Sequence, residues 1–162
     1  MSGKVAIIGI GNKLMGDEGV GIHAVEYLRV LSPFYSPLTK EGNNKADLLD
    51  GGTGGMALLH VLEEYDHAII IDAVDFGGRP GDVRAFVITS GDIQLASDST
   101  QISLHETGFA GILELAKKIG TKLPKITIIA VQPETILPSL NLSEACKKAV
   151  LSIPTFLQGL WR

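Results

Sequence analysis

Four side chains in this sequence have the chemistry to hold a cation or move a proton: the adjacent carboxylates Asp17 and Glu18, the carboxylate of Asp72, and the imidazole of His105. Asp72 and one of the adjacent pair, with the imidazole, make a mixed oxygen and nitrogen ligand set. Such a set suits a borderline divalent ion such as nickel or zinc better than magnesium or copper(I). Three protein ligands leave coordination positions open to water or substrate. A metal-bound water attacks a carbonyl at neutral pH, which is hydrolysis. Each residue also has a plainer reading. Asp17 and Glu18 offset the dipole of the helix that follows them, at about 0.3–1 kcal/mol each. Asp72 caps a turn, and His105, like His23, His60 and His67, is a surface or packing histidine. Only the elements that carry these residues can decide.

The first element is an apolar run, residues 5–8, that reads as a buried parallel strand. A loop with glycines at 9, 11 and 16 follows, then a helix with Gly21, Ala24, Leu28 and Leu31 on one face. Open α/β sheets bind ligands at such strand-to-helix loops. Gly11-Asn-Lys-Leu-Met-Gly16 has the glycine spacing of a phosphate loop, but Asp17-Glu18 stands where Lys-Ser/Thr would be needed. Two carboxylates repel a phosphate, so the loop reads as a site for a cation or a polar backbone. The dinucleotide fingerprint fails as well, because Leu14 occupies the third glycine position.

A polar connection with two prolines, residues 32–45, leads to a short strand at 46–49 and a second glycine turn, Asp50-Gly-Gly-Thr-Gly-Gly55. Met56, Leu59 and Leu62 then mark a short helix with Leu58. Residues 67–71 are apolar on both faces, hence a central strand, and Asp72 ends it at the ligand-binding edge. The link from Asp72 to Val83 is too short for a crossover helix. The fourth strand, residues 83–88, is therefore antiparallel and at an edge. Residues 89–103 read as a polar loop that delivers His105 and Glu106 ahead of a helix with Phe109, Ile112, Leu113, Ala116 and Ile119 on one face. A fifth strand, residues 125–131, ends in Gln132-Pro133-Glu134. Ser143 reads as the N-cap of a last helix, which Pro154 should kink or interrupt. Cys146 reads as a packed small apolar residue.

These elements make an α/β fold: a three-layer α/β/α sandwich around a five-stranded, mostly parallel sheet with strand four antiparallel, in a single domain over residues 1–162. Right-handed crossovers of opposite direction place strand one between strands two and three. A crevice then opens between strands one and three, and Glu18 and Asp72 can both face it. Asp17 and Glu18 point about 100° apart on a helical start, so only one faces inward easily.

Composition sets outer bounds. At 162 residues, with 45% hydrophobic and 20% charged content, the chain is long enough for one ordinary globular domain. A formal charge of -4 argues against nucleic acid or an anionic membrane as the main partner. A single cysteine forbids an internal disulfide and fits a reducing cytoplasm. No stretch approaches the ~20 apolar residues of a membrane span, and the N-terminus lacks the pattern of a signal peptide.

The combination of motifs resembles one family, the maturation endopeptidases of nickel–iron hydrogenases. The matching segments are Gly9-Ile-Gly-Asn-Lys-Leu-Met-Gly-Asp-Glu-Gly-Val-Gly21, Asp50-Gly-Gly-Thr-Gly-Gly55, Ile71-Asp-Ala73, His105 with Gly108, and Val131-Gln-Pro-Glu134. They follow the family's order over most of the chain. The resemblance implies that Glu18, Asp72 and His105 are the catalytic, metal-contacting residues. It implies removal of a C-terminal extension from the hydrogenase large subunit after nickel loading, with the substrate's own nickel as the recognition point. The enzyme then needs no tightly bound metal of its own. Asn12 and the backbone of residues 52–55 are candidates for positioning the peptide. Some relatives carry Asp-Asp in place of Asp17-Glu18, and residues 32–45 match nothing in the family. The rival readings are a flavodoxin-like binding module, a general metallopeptidase with its own metal, and a non-catalytic chaperone of the hydrogenase subunit.

Overall fold

A computed structural model describes residues 3–32, 46–89, 92–95 and 109–160. Residues 32–45 of the proline-containing connection lie, from 33 on, outside them, as does His105. The strands are β1 (Val5–Gly9), β2 (Asp47–Asp50), β3 (His67–Ala73), β4 (Val83–Thr89), β5 (Asp92–Leu95) and β6 (Lys125–Val131). The helices are α1 (Val20–Leu31), α2 (Ala57–Leu62), α3 (Ala110–Ile119) and α4 (Glu144–Leu160), and a 3-10 turn, Gly16–Gly19, precedes α1.

All five expected strands are present, and β1 lies between β2 and β3 as the crossover argument requires. β1, β2, β3 and β6 run parallel, while β4 pairs antiparallel with β6. One expectation is corrected. Residues 92–95, read as part of a polar loop, form β5, which pairs antiparallel with β4 and extends the sheet to six strands in the order β2-β1-β3-β6-β4-β5. β4 is therefore covered on both sides rather than an edge strand. The link from β4 to β5 is two residues, the length of a hairpin connection.

Successive side chains of a strand alternate between the faces of the sheet, and two cores result. Ile7, Ile69, Ile71, Ile129 and Val131 pack with α1 and α4 on one face. Ala6, Ile8, Ala68, Ile70, Ile126 and Ile128 pack with α2 and α3 on the other. Burial of each such isoleucine contributes ~1.5–3 kcal/mol.

Helix ends depart from the expected stripes. Met56 and Ile119 were expected on apolar faces but are mostly exposed. Met56 precedes the first residue of α2, and Ile119 is the last of α3, before Gly120 turns left-handed at φ 72°. α4 runs through Pro154 without interruption. The loss of a hydrogen bond there, about 3 kcal/mol, is offset by the burial of Ile153 and Leu157 on either side. Ser143 caps α4 as expected, its Oγ accepting from Cys146 N at 3.3 Å.

Candidate active site

The parallel strands β1, β2, β3 and β6 end at one edge of the sheet, and the site residues gather on the loops that leave it. Glycine permits the first of these loops to lie against the strands. At Gly21, the second residue of α1, a Cβ would stand 2.1 Å from the carbonyl oxygen of Ile71 and 2.5 Å from that of Ile10. At Gly11 (φ 142°) it would stand 1.9 Å from the carbonyl oxygen of Glu18. The helix start is thus set directly over the end of β3. The loops after β1 and β2 are joined by Gly11 N donating to Gly52 O and Gly51 N to Gly9 O, each at 2.8 Å.

Glu18 is half-buried in the 3-10 turn, its own N–H donating to Met15 O at 3.3 Å. The turn packs against β3, whose penultimate residue is Asp72. Asp72 is only 4% exposed and lies beside Ala130 of β6. By strand alternation it shares the face of Ala68 and Ile70, the side of α2 and α3. Phe109, fully buried in that same core, is where the described chain resumes after residue 105. The carboxylate-bearing elements therefore meet at the end of β3, and Phe109, the first described residue after His105 in the sequence, lies in the core on the face Asp72 shares. The position of His105 itself lies outside the described residues, among which no group of three or more acidic, His or Cys side chains is placed to hold a metal ion.

Asp17 has a different task from Glu18. It is fully buried. Its carboxylate accepts from Glu134 N at 2.9 Å, Thr135 N at 3.1 Å, Ser143 N at 2.7 Å and Ser143 Oγ at 2.8 Å. Burial alone would raise its pKa, but the three backbone donors and the Ser143 hydroxyl together hold it below the ordinary carboxylate value. Neighbours in a 3-10 turn point about 120° apart, so Glu18 is turned away from the loop that Asp17 grips. Sequence reasoning saw that only one of the two acids could face the crevice. It missed that the other ties the first loop to the last.

Gln132 plays a parallel part in the loop after β3. Its Oε1 accepts from Phe76 N at 2.9 Å and Gly78 N at 3.1 Å, and its Nε2 donates to Asp75 Oδ1 at 3.0 Å. The Gly77 N–H and this Gln132 amide lower the pKa of Asp75. The only sequence signal was an amide ending a buried strand. Asn12 turns its side-chain oxygen back onto Leu14 N at 2.9 Å, so that atom serves the loop. Gly52 and Gly55 have no atom within 4 Å of where a Cβ would stand, so the space beside them is uncrowded, while the polar atoms of Gly52 are taken by Gly11 N and Asp50 Oδ1.

The other expected bystanders are such. His60 is exposed, and His67 lies against Thr127 Oγ1 at 2.9 Å. Burial lowers the pKa of His67 to about 4, with nearby Lys125 adding to it. Cys146 is fully buried, its Sγ 3.6 Å from Gln132 O, and burial pushes the thiol up to about 11, out of the nucleophilic range. Among the described residues no helix is long and apolar enough to cross a membrane.

Comparison with known proteins meets this geometry. A family model described as hydrogenase maturation protease matches residues 28–156, a span that holds Asp72 and His105 and begins after Glu18. The hydrogenase expression/formation protein HupD of Rhizobium leguminosarum bv. viciae is 34% identical over 130 residues, 80% of this chain and 59% of that protein. The hydrogenase 2 maturation protease of Escherichia coli K12 is 33% identical over 143 residues, 86% of this chain and 79% of that protein. The chain thus spans about three fifths of the length of the HupD relatives it matches. Among solved structures, the hydrogenase maturating endopeptidase HybD of E. coli superposes with a TM-score of 0.67 at 28% identity, covering 97% of this chain and 93% of that one. The hydrogenase 2 maturation peptidase of Thaumarchaeota archaeon SCGC_AB-539-E09 does so at 0.66 and 28%, covering 97% of each. With a family model matching residues 28–156 and relatives above 30% identity over four fifths of its length or more, the chain belongs to the hydrogenase maturation protease family.

Proposed function

We propose that this protein is an endopeptidase that removes the C-terminal extension of a nickel-loaded hydrogenase large subunit. Glu18, Asp72 and His105 hold the nickel that the substrate carries, which fixes the scissile bond over the β1–β3 crevice. Water adds to the carbonyl carbon, the C–N bond breaks, and the departing amine takes a proton. The uncrowded space beside Gly52 and Gly55 leaves room for an extended peptide to pass. The observation that carries this reading is the placement of the Glu18 turn against the end of β3, where Asp72 is almost wholly buried. Family membership supports a hydrogenase protein as the substrate.

The test is to incubate the purified protein with nickel-loaded and nickel-free large-subunit precursor and follow the mass of the product. Cleavage of the loaded form alone is expected. Equal cleavage of both, or of neither, would overturn recognition through nickel. A His105→Ala variant should lose cleavage without losing its folded circular dichroism spectrum. Cleavage of short peptides with stoichiometric zinc in the purified protein would point instead to a general metallopeptidase, and a stable complex without cleavage to a chaperone.

A further inference from the structure

We propose that Leu14, Ile136, Leu137 and Leu140 form a preformed docking surface for the protein substrate, outside the crevice that cuts it; this rests on the function proposed above. The four are 64%, 48%, 63% and 68% exposed. Exposed leucines scattered singly need no explanation. These are not scattered, because two remote segments bring them together. Ser139 N donates to Leu14 O and Gly16 N to Ser139 O, both at 2.9 Å, and Met15 and Ser139 form a parallel bridge. The approach is close enough that a Cβ at Gly16 would stand 3.2 Å from the carbonyl oxygen of Leu137.

The surface is also held. The buried carboxylate of Asp17 grips the segment at Glu134 and Thr135 on one side and at Ser143 on the other. The apolar side chains between these points sit on a fixed frame. Such a frame lowers the ordering cost of binding. Glu18 follows Asp17 directly, so the turn that anchors this surface also carries the proposed metal-contacting carboxylate.

The occupant follows from size and charge. Four partly exposed side chains offer a few hundred Å² of apolar surface. A stable dimer needs about 800 Å² from each partner, so a second copy of this chain would need contacts well beyond these four side chains. A substrate protein that gains further contacts in the crevice needs no more than this. No residue from 135 to 143 is charged, so the complementary face of the large subunit is apolar and its attachment here is insensitive to salt.

The experiment compares the wild type with Leu137→Ser combined with Leu140→Ser, and separately with Leu14→Ser from the other segment. Binding of nickel-loaded large-subunit precursor is measured by interferometry at low and high salt, cleavage by kcat and KM, and self-association by sedimentation. Both variants should keep the wild-type melting profile and raise Kd and KM at least tenfold, with kcat within twofold. Unchanged Kd and KM in both variants would overturn the surface. So would a loss confined to kcat, or a wild-type dimer that the serines dissociate. A wild type that binds the precursor through these leucines yet cuts nothing keeps the surface and removes the proposed hydrolysis. A wild type that cuts the precursor with an affinity indifferent to the leucines does the reverse. A wild type that does not bind removes both.

Discussion

The two adjacent acids show how one position separates chemistry from architecture. Asp17 accepts four donors at full burial, and an asparagine there would set an NH2 group against N–H donors that need an acceptor. Asp17→Asn should therefore destabilise the fold by about 3 kcal/mol near neutral pH, the cost of breaking a buried hydrogen-bonded charge. The pH dependence has a fixed sign. The folded pKa lies below the ordinary value of 3.8, so the carboxylate's contribution is complete above that value and fades as pH falls through the folded pKa. Urea unfolding of wild type and variant at pH 7 and pH 3 should show the gap between them narrowing in acid. An equal gap at both would mean that charge is not what holds the loop. The sequence revealed the pair, but not the division of labour. Ser143, which settles it, is 126 residues away, and no local pattern reports a contact of that separation.

At the scale of elements, glycine sets how near a helix may come to a sheet. Gly21→Ala would drive a Cβ into the Ile71 and Ile10 carbonyls, lifting α1 and the Glu18 turn from β3. Overpacking of this kind costs about 3 kcal/mol. Gly55→Ala meets open space and should leave the melting temperature within a degree or two. Thermal unfolding of the two variants beside wild type checks the contrast, and equal loss in both would place the close approach elsewhere. The strand order, the antiparallel β4 and the cap at Ser143 were legible because each follows from a local signal: apolar runs, a link too short to cross over, a hydroxyl before a helix. β5 was not. Asp-Ile-Gln-Leu, residues 92–95, is too short a period-2 pattern to stand out from polar neighbours, and it becomes a strand through pairing with β4. Pro154, expected to kink or interrupt α4, does not interrupt it, because burial of the apolar stripe on either side outweighs the lost backbone hydrogen bond. The ends of α2 and α3 failed for the opposite reason: a stripe read along a sequence has no terminus until a cap supplies one.

At the scale of the whole molecule, the two cores are not independent, since β1, β3 and β6 contribute alternate residues to each. Leu62 is fully buried on the face of α2 and α3, and Leu157 on the face of α1 and α4. Either one changed to alanine should cost about 2–5 kcal/mol. If residues 1–162 form one domain, neither loss stays local. Each variant should unfold in a single step, with the midpoints by far-ultraviolet and near-ultraviolet circular dichroism coinciding and both shifted from wild type. Two separated steps in either variant would instead mean that the layers fold apart. The distinction bears on the proposed cleavage, because the candidate site draws on both faces. Asp72 projects toward the layer of α2 and α3, while the turn bearing Glu18 is held through Asp17 to the N-terminus of α4. In a cooperative domain, cleavage of the large-subunit precursor should vanish at the denaturant concentration that unfolds the sheet, whichever core was weakened. A Leu157→Ala variant that lost cleavage well before its strands unfolded would show that the α4 layer can detach alone and take the Glu18 turn out of register with Asp72.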